Sequence, residues 1–382
     1  MTLEGIRVVE IGQVLSAPYA GMILAELGAE VIKIEKPGSG DDARHMGPEF
    51  RDGASMTFHD VNRGKRSVVV DLKSPKGLEQ LFLLLDNADI LIHNLRPGEV
   101  AKLGIDSEKM LARFPKLIYC DISAFGHQGP RRLQPGYEPL LQAYSGLVDS
   151  NGSEEGPASR IGASIVDQGT GMWVVIGVLS ALRKRDMTGQ GSVINVSLLE
   201  TAMAWIAPRV HGYVNEGRVS KRYGTAHPGL VPYQGFETQD YPVMICVGND
   251  RLFQKFAKAL NQEHWCEDER FNSNRKRLEN REMVVKAIQE VLLTAPRGHW
   301  ISVLESAGVP VAAINTVAQI VAEPQVQAMG ILSSVGGEEK ISLVGLPISI
   351  DSVRPTSGRT APKLGEATDF FLGNESRNPD PT

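Results

Sequence analysis

The sequence predicts an α/β protein with a doubly wound large domain around a parallel sheet and a smaller α+β domain. Strand-like and helical patterns alternate along the N-terminal part of the chain, which is typical of βαβ units. The pattern changes near Arg218 to a hairpin flanked by helices. The length of 382 residues also suits two domains better than one.

The βαβ units are recognised from short runs rich in Ile and Val, each separated from the next by a helical pattern. We predict strands at 6–11, 31–35, 67–71, 89–93, 117–123 and 192–196. We predict helices at 19–27, 75–85, 107–113 and 198–215, with a short one inside 135–146 and a buried one inside 162–185. Folds of this kind bind ligands beyond the carboxyl ends of their parallel strands.

The middle of the chain has a different pattern. The run 233–247 reads as two strands around a polar turn at 239–240, and it predicts a hairpin. Helices are expected at 251–260, 281–293 and 297–307, and a short strand at 311–314. We therefore predict a large domain over 1–215, a small domain over 218–315, and a C-terminal segment, 325–382, that returns to the large domain.

Composition excludes several classes of function. The net charge of −5 gives no basic footprint for nucleic acid. The N-terminus does not resemble a signal peptide, and the longest apolar run, 171–182, is too short to span a bilayer. Three separated cysteines without a CxxC pair fit a reducing compartment. We expect a cytoplasmic protein with no nucleic-acid and no membrane partner.

The segment 162–185, GASIVDQGTGMWVVIGVLSALRKR, contains the leading candidate for catalysis. Asp167 falls where a loop becomes the N-terminus of a helix, and backbone N–H groups there favour an ionised carboxylate. Gly169 and Gly171 follow, and they would let a ligand approach the backbone. The alternative is structural, since Asp is also a preferred N-cap residue.

Basic residues recur in the segments that leave the predicted strands, which indicates a phosphorylated or otherwise anionic ligand. They are Lys36, Arg44, Lys73, Lys76, Arg96, Lys102, Arg131 and Arg132. Ordinary solvated side chains at loop tips are the alternative. No GxGxxG follows the first strand, and neither a Walker A loop nor HExxH occurs. Glu138, beside Tyr137, is either functional or a surface carboxylate in the first turn of a short helix.

A set of motifs spread over nearly the whole chain resembles one known family. The motifs are LSAPYAGMILAELGAEVIKIEKPGSGDDAR from Leu15, VNRGKRSVVVDLKSPKG from Val61, NLRPGEVAKLGID from Asn94, SAFGHQGP from Ser123, GYEPLLQAYSG from Gly136, GASIVDQGTGMWVVIGVLSAL from Gly162, RYGTAHPGLVPYQGFET from Arg222, AEPQVQAMG from Ala322 and APKLGEAT from Ala361. In this order they resemble the class III CoA-transferases, also called the CaiB/BaiF family. Formyl-CoA transferase and α-methylacyl-CoA racemase are members.

The resemblance implies a role for each matching position. Asp167 would be the catalytic nucleophile, Tyr137 and Glu138 would lie beside it, and Gly248 belongs to a shortened glycine loop at 247–250. Coenzyme A would contact Val14, Leu15, Ala17, Lys36, Arg44, Val70, Lys73, Asn94, Leu95, Arg96 and Lys102. Lys36 and Lys102 stand where some members have arginine, which loses the bidentate fork. The resemblance also implies a Rossmann-like large domain and an interlocked homodimer.

The expected reaction moves CoA from an acyl-CoA donor to a carboxylic acid through an aspartyl-CoA thioester, with no permanently bound cofactor and no metal. The 222–236 segment resembles members that use dicarboxylates, with succinyl-CoA as donor. Candidate acyl-site residues are Arg160, Lys221, Arg222 and His227. Backbone N–H groups near Gly169 and Gly248 are expected to stabilise the oxyanion.

Two alternatives remain. One is an α-methylacyl-CoA racemase, which needs a base on each face of the α-carbon; the histidine of the racemases' GHD motif is replaced here by Tyr137, a weak base near neutral pH. The other is a non-catalytic CoA-binding protein. It predicts that Asp167→Ala changes stability without changing any reaction.

Overall fold

The computed structural model describes residues 2–96, 98–336 and 340–373. Contacts between Cα atoms divide the chain into two units. The first unit comprises Met1–Val148, Arg160–Arg218 and Met329–Thr382, and the second comprises Asp149–Ser159 and Val219–Ala328. The division into domains at 1–215, 218–315 and 325–382 stays a prediction. One difference is clear, since Asp149–Ser159 groups with the second unit although the sequence assigned it to the large domain.

The described elements follow one another along the chain as strands and helices. The strands are β1 Arg7–Ile11, β2 Glu30–Glu35, β3 Phe50–Arg51, β4 Ala54–Ser55, β5 Arg66–Val69, β6 Ile90–His93, β7 Ile118–Ser123, β8 Ser192–Ser197, β9 Tyr233–Phe236, β10 Val243–Cys246, β11 Val311–Ala313, β12 Leu332–Val335 and β13 Ile341–Val344. The helices are α1 Ser16–Glu26, α2 Met56–Asn62, α3 Pro75–Leu85, α4 Glu99–Leu103, α5 Ser107–Arg113, α6 Glu138–Tyr144, α7 Ile165–Thr188, α8 Leu198–Trp205, α9 Ala207–Glu216, α10 Asp250–Ala259, α11 Asn274–Glu279, α12 Arg281–Leu292, α13 Arg297–Ser306, α14 Val317–Ala322, α15 Pro324–Met329 and α16 Thr368–Leu372. Short 3₁₀ helices occupy Asp42–His45 and Glu263–Cys266.

The first unit is organised around a parallel sheet with the strand order β5-β2-β1-β6-β7-β8. β1 pairs in parallel with β2 on one side and with β6 on the other, through Val8↔Val31 and Val8↔Ile90. The strand order therefore reverses between β1 and β6. A parallel α/β sheet binds ligands at this point, outside the carboxyl ends of the strands. The predicted parallel sheet is confirmed.

Both faces of the four central strands, β2, β1, β6 and β7, are buried, which explains why these strands read as continuous apolar runs. Val8 packs into a cluster formed with α1 and α7 on one face, and Val9 packs into a cluster formed with α3 and α5 on the other. α1 and α7 pack together against the same face, so the two helices share one apolar cluster of the first unit.

The second unit contains the predicted hairpin. β9 pairs antiparallel with β10, and β10 pairs antiparallel with β11. Its apolar core includes Phe253, Trp265 and Trp300. The stretch Asp149–Ser159 joins this unit because the Gly224 N–H donates to the Gly152 carbonyl at 2.8 Å, and the Arg222 Nε donates to the Ser153 carbonyl at 3.1 Å.

Two helix predictions need correction. The single helix expected at 198–215 is two helices, α8 and α9, that meet at Ile206. Pro208 lies in the first turn of α9, where its missing N–H is tolerated; it would break the interior of a longer helix. The helix expected at 19–27 begins earlier, at Ser16, because Pro18 is compatible with a first helical turn.

The length of α7 also differs from expectation. Its 24 residues are long and apolar enough, by length and composition, to cross a membrane, whereas the sequence predicted no run of that length. Core helices of soluble proteins pass the same test, and 44% of its most apolar window is buried inside the protein. The remaining apolar surface includes Met172, Trp173, Ile176 and Leu179, which are exposed.

Candidate functional site

A cleft of about 580 Å³ lies in the first unit at the carboxyl ends of the parallel strands. Loops that leave β1, β2, β6 and β7 form its walls, together with the start of α6 and the first turn of α7. The lining includes Gln13, Val14, Leu15, Ser16, Lys36, Asp42, Lys73, Asn94, Leu95, Arg96, Glu99, Ser123, Tyr137, Glu138, Leu140 and Asp167. The cleft therefore brings the candidate nucleophile together with basic side chains that lie far away in sequence.

Asp167 is the third residue of α7 and lies in its first turn. The N-cap is Ser164, so the interpretation of Asp167 as the cap is wrong. Burial raises the pKa of Asp167 to about 7, the negative charge of Glu138 adds to the increase, and a hydrogen bond from the Ser16 side chain opposes it. A carboxylate that is partly withdrawn from water beside a second carboxylate is a destabilised and reactive anion.

The glycines after Asp167 serve helix packing. A Cβ on Gly171 would lie 2.8 Å from the Ser16 carbonyl oxygen of α1, and a Cβ on Gly169 would lie 2.7 Å from the Trp205 ring. The expectation that both glycines open the backbone to a ligand is therefore wrong. The Gly169 N–H is the fifth along α7, within the hydrogen-bonded part of the helix, which argues against its predicted oxyanion role.

Glu138 is the first residue of α6 and is only 4% exposed, so it is not a surface carboxylate. Its Oε1 accepts a hydrogen bond from Gln142 Nε2 at 2.6 Å. Its Oε2 is buried and has no hydrogen-bond partner. Tyr137, the N-cap residue of α6, is 68% exposed. The Glu138 carboxylate thus faces the cleft with one fixed and one unpaired oxygen.

The loop after β1 is held in an unusual conformation. Val14 has a φ of 66°, a left-handed value that a β-branched residue rarely adopts. Its N–H donates to Asp41 Oδ1 at 3.0 Å. The neighbouring Gln13 N–H donates to Asn94 Oδ1 at 3.0 Å, and Asn94 Nδ2 donates back to the Gln13 carbonyl at 2.8 Å. These side chains fix the backbone that leads to Ser16, whose side chain hydrogen-bonds Asp167.

A network of buried ion pairs supports the same loop. Lys33 Nζ lies 3.0 Å from Glu10 Oε1 and 2.8 Å from Asp41 Oδ2, and it donates to the Gly12 carbonyl at 2.8 Å. Lys65 Nζ contacts the other Glu10 oxygen at 2.7 Å. Burial opposes the charged form of Lys33, but the charge of Glu10 outweighs burial and raises the pKa of Lys33. Burial likewise opposes the charged form of Asp41, but the charge of Lys33 lowers the pKa of Asp41. The Lys33–Asp41 pair is therefore charged and fixes β2 and the loop between Gly12 and Ser16, whereas burial lowers the pKa of Lys65 to about 7.

Seven of the residues assigned to coenzyme A by the resemblance line the cleft. They are Val14, Leu15, Lys36, Lys73, Asn94, Leu95 and Arg96. Lys36 Nζ also contacts Asp42 Oδ1 at 2.5 Å in an exposed pair, so a bound anion would compete with Asp42 for Lys36.

Four other assigned residues do not line the cleft. Ala17 and Val70 are buried, and Lys102 is exposed in α4. Arg44 is buried against Glu35, with Nη2 2.7 Å from Oε1, and its guanidinium lies 3.8 Å from the centre of the Phe58 ring. Arg44 therefore supports the fold beneath the cleft.

The remaining predicted positions lie mostly in the second unit, so their roles at the nucleophile stay predictions. Gly248 is exposed just before Asn249, the N-cap residue of α10. His227 Nδ1 accepts the Gly229 N–H at 3.0 Å, which is a turn contact. Arg222 and Lys221 hold the neighbouring loop: Arg222 lies 3.4 Å from Asp149 and Lys221 lies 2.8 Å from Glu154. Arg160 is exposed in the first unit.

Two features of the site escaped the sequence reasoning. Ser16 lies inside the segment assigned to CoA but was not linked to Asp167. The spacing of four residues between Glu138 and Gln142 on a predicted helix indicates adjacent side chains, but no sequence motif assigns Gln142 a role. In 2–96, 98–336 and 340–373, no group of three His, Cys, Asp or Glu residues could hold a metal ion.

Comparisons with known proteins agree with this geometry. A sequence model of CoA-transferase family III matches residues 3–368. The chain is 36% identical to acetyl-CoA:oxalate CoA-transferase of Acetobacter aceti, over 95% of this chain and 93% of that protein. It is 33% identical to succinyl-CoA:glutarate CoA-transferase of Mus musculus, over 97% and 85%.

Solved structures give the same result. The crystal structure of a CaiB/BaiF family protein from Brucella suis superposes with a TM-score of 0.88 at 35% identity, and the match covers 96% of this chain and 97% of that one. The match extends over both units and includes the parallel sheet that forms the cleft. The chain belongs to CoA-transferase family III, the CaiB/BaiF family.

Proposed function

We propose that the protein transfers CoA from succinyl-CoA, or a similar acyl-CoA, to a dicarboxylic acid, with Asp167 as nucleophile. The observation that carries the proposal is the cleft, which joins Asp167 in the first turn of α7 to the basic side chains of Lys36, Lys73 and Arg96. An acyl-CoA thioester needs both a nucleophile at its carbonyl and cations at its phosphates.

The chemistry begins when an Asp167 carboxylate oxygen attacks the thioester carbonyl carbon. A C–O bond forms, the C–S bond breaks, and CoA thiolate leaves a mixed anhydride on Asp167. The thiolate then attacks the Asp167 carbonyl carbon and displaces the donor carboxylate, which leaves an aspartyl-CoA thioester. The acceptor carboxylate attacks that thioester, and the released thiolate attacks the acceptor's carbonyl. The product acyl-CoA leaves with the Asp167 carboxylate restored, and no proton is gained or lost.

The environment of Asp167 supports this assignment. The anhydride and the thioester of Asp167 are both neutral, so the burial and the Glu138 charge that penalise its anion do not penalise them. Relief of that penalty favours covalent attack. The Ser16 side chain hydrogen-bonds the Asp167 carboxylate. It thereby orients the carboxylate while the group is free.

The choice of a dicarboxylate acceptor is supported by the names of relatives. Proteins named as acetyl-CoA:oxalate and succinyl-CoA:glutarate CoA-transferases are 36% and 33% identical to this chain. Oxalate and glutarate differ in length but share two carboxylates, so the second carboxylate is the common recognition element. Arg160 is an exposed cation of the first unit that precedes α7 by a few residues, and we assign it to that second carboxylate.

The test is an incubation with succinyl-CoA and each of oxalate, glutarate and other dicarboxylates, followed by mass spectrometry of the CoA products. We expect the wild-type protein to form a new acyl-CoA and Asp167→Ala to form none. A run in D₂O with 2-methylacyl-CoA tests the racemase alternative, since deuterium at C2 without a new CoA ester would replace transfer with racemisation. The absence of both reactions would support a non-catalytic CoA-binding protein.

We further infer a homodimer. Met172, Trp173, Ile176 and Leu179 are spaced along one face of α7 and are between 42% and 50% exposed. A second copy of the chain would cover this apolar stripe. The inference is supported by size-exclusion chromatography if the molar mass is twice 41.5 kDa.

The remaining proposals concern the type of fold, the cellular location and the cofactor requirement. The first unit's sheet follows the order 3-2-1-4-5-6 when its strands are numbered along the chain, which supports a Rossmann-like description. We propose a cytoplasmic location because Cys120, Cys246 and Cys266 are free thiols. We also propose that acyl-CoA acts as a substrate and that the enzyme needs no permanently bound cofactor.

A further inference from the structure

Gln142 makes a set of contacts that the reaction scheme does not use. Its side chain is fully buried in α6, one turn after Glu138. Nε2 donates to Glu138 Oε1 at 2.6 Å and to the Ile161 carbonyl at 3.1 Å. Oε1 accepts the Ile161 N–H at 2.9 Å. A single amide therefore ties the Glu138 carboxylate to the segment that enters α7 and leads to Asp167.

We propose that Gln142 is a positioning residue of the transfer reaction: it orients Glu138 so that the unpaired Oε2 of Glu138 faces the Asp167 side of the cleft. This inference rests on the proposed function of Asp167. The donor and acceptor capacity of the amide explains the choice of residue, because a glutamine can donate to a carboxylate and also pair with both groups of one backbone residue.

The contacts give Gln142 two effects on the site. The N–H bond to Oε1 fixes one oxygen of the Glu138 carboxylate, which is only 4% exposed and whose other oxygen is unpaired. The two bonds to Ile161 fix the distance between α6 and the start of α7. In the described residues, the influences on the ionisation of Asp167 are its burial, Glu138 from α6 and Ser16 from α1. Gln142 acts on Asp167 through Glu138.

The consequence is chemical. Burial and the charge of Glu138 raise the pKa of Asp167 and so penalise its carboxylate, but neither penalises the neutral aspartyl-CoA thioester. If Gln142 is replaced by an apolar residue of similar length, Glu138 has no donor at either oxygen and is no longer held in its position beside Asp167. The Asp167 anion then loses its repulsion, its ionisation shifts to lower pH, and the covalent intermediate becomes less favoured.

The experiment compares Gln142→Met with wild type and with a matched control, Gln289→Met. Gln289 makes the same pair of bonds to one backbone residue, donating to the Glu237 carbonyl at 2.8 Å and accepting the Glu237 N–H at 3.0 Å, but it touches no carboxylate of the cleft. The pH dependence of kcat/KM is measured with succinyl-CoA and glutarate. In this profile, the pH at which kcat/KM falls to half its maximum on the acidic side should move down by about one pH unit in Gln142→Met. We call this pH the acidic midpoint, and we also expect a lower kcat with little change in KM. Gln289→Met should leave the midpoint in place.

Glu138→Gln and the double variant Gln142→Met/Glu138→Gln complete a cycle that also covers poor folding of Gln142→Met. Glu138→Gln should give the same downward shift, and the double variant should shift no further. Additive shifts, or an unmoved midpoint in Gln142→Met, would overturn the positioning role.

The pH dependence of urea unfolding gives a second readout that needs no turnover. Because burial and Glu138 raise the pKa of Asp167, wild type should gain stability on acidification, and this gain should begin at a lower pH in Gln142→Met. If wild type transfers no CoA, the proposed function fails while this comparison still decides the role of Gln142.

Discussion

Asp167→Asn should make the protein more stable at neutral and basic pH while it removes the transfer activity. Burial and Glu138 raise the pKa of Asp167 from an ordinary 3.8 to about 7. Between these values the native state holds a proton that the unfolded chain has released, so the free energy of unfolding of wild type falls as pH rises from about 4 to 7. A pKa raised from 3.8 to about 7 corresponds to an upper value of about 4 kcal/mol.

An asparagine side chain of the same size does not ionise, so the variant avoids this loss. The free energies of unfolding of the two proteins should be similar near pH 4 and should diverge in favour of Asp167→Asn up to pH 8. The assay is urea unfolding at fixed protein concentration at four pH values, in parallel with CoA transfer from succinyl-CoA. Asp186→Asn is the control, because Asp186 is exposed in the last turns of the same helix. A stability difference between Asp167→Asn and wild type that stays constant with pH would refute the reasoning.

Three further predictions concern the support of the site. Lys33→Met should cost about 3–5 kcal/mol in urea unfolding because it leaves Asp41 buried without its cation and removes one of the two lysines that contact Glu10. Lys36→Met, which breaks an exposed pair, should cost at most about 1 kcal/mol. Gly171→Ala should destabilise by about 1–3 kcal/mol and lower kcat, since its Cβ meets the backbone of Ser16, while Gly298→Ala has open space and should be neutral or stabilising. Arg96→Ala should raise the KM for succinyl-CoA about tenfold with kcat retained, and Lys102→Ala, outside the cleft, should leave it unchanged.

Local signals made some elements predictable to the residue. α3 and α5 occupy the predicted ranges because their first turns carry strong capping chemistry. Ser74 accepts the Gly77 N–H ahead of Pro75, and Asp106 accepts the Lys109 N–H. The parallel sheet was predictable for a related reason, since strands buried on both faces read as unbroken apolar runs. In both cases the determining residues are close together in the sequence.

Long-range contacts explain what could not be predicted. Gly171 reads as a flexible residue near a carboxylate, and only the packing of α7 on α1 shows that it makes room for the Ser16 backbone. Arg44 reads as one more cation at a strand end, yet Glu35 and Phe58 bury it beneath the cleft. The sequence patterns give the charge of each residue but not the neighbour that neutralises it.

The candidate site shows the same division. A carboxylate at a helix start is a recognisable pattern, but it leaves an N-cap as the alternative, and the family resemblance selects Asp167 as the nucleophile. Its reactivity could not be predicted, because that depends on Glu138 from α6 and Ser16 from α1. The burial and repulsion that raise its pKa destabilise the free carboxylate in the folded protein, and they disappear when the carboxylate becomes a neutral anhydride or thioester. The lower stability of the folded protein and the reactivity of the Asp167 carboxylate therefore have one physical source. A substitution that removes the repulsion should raise the free energy of unfolding and, in proportion, slow the covalent attack.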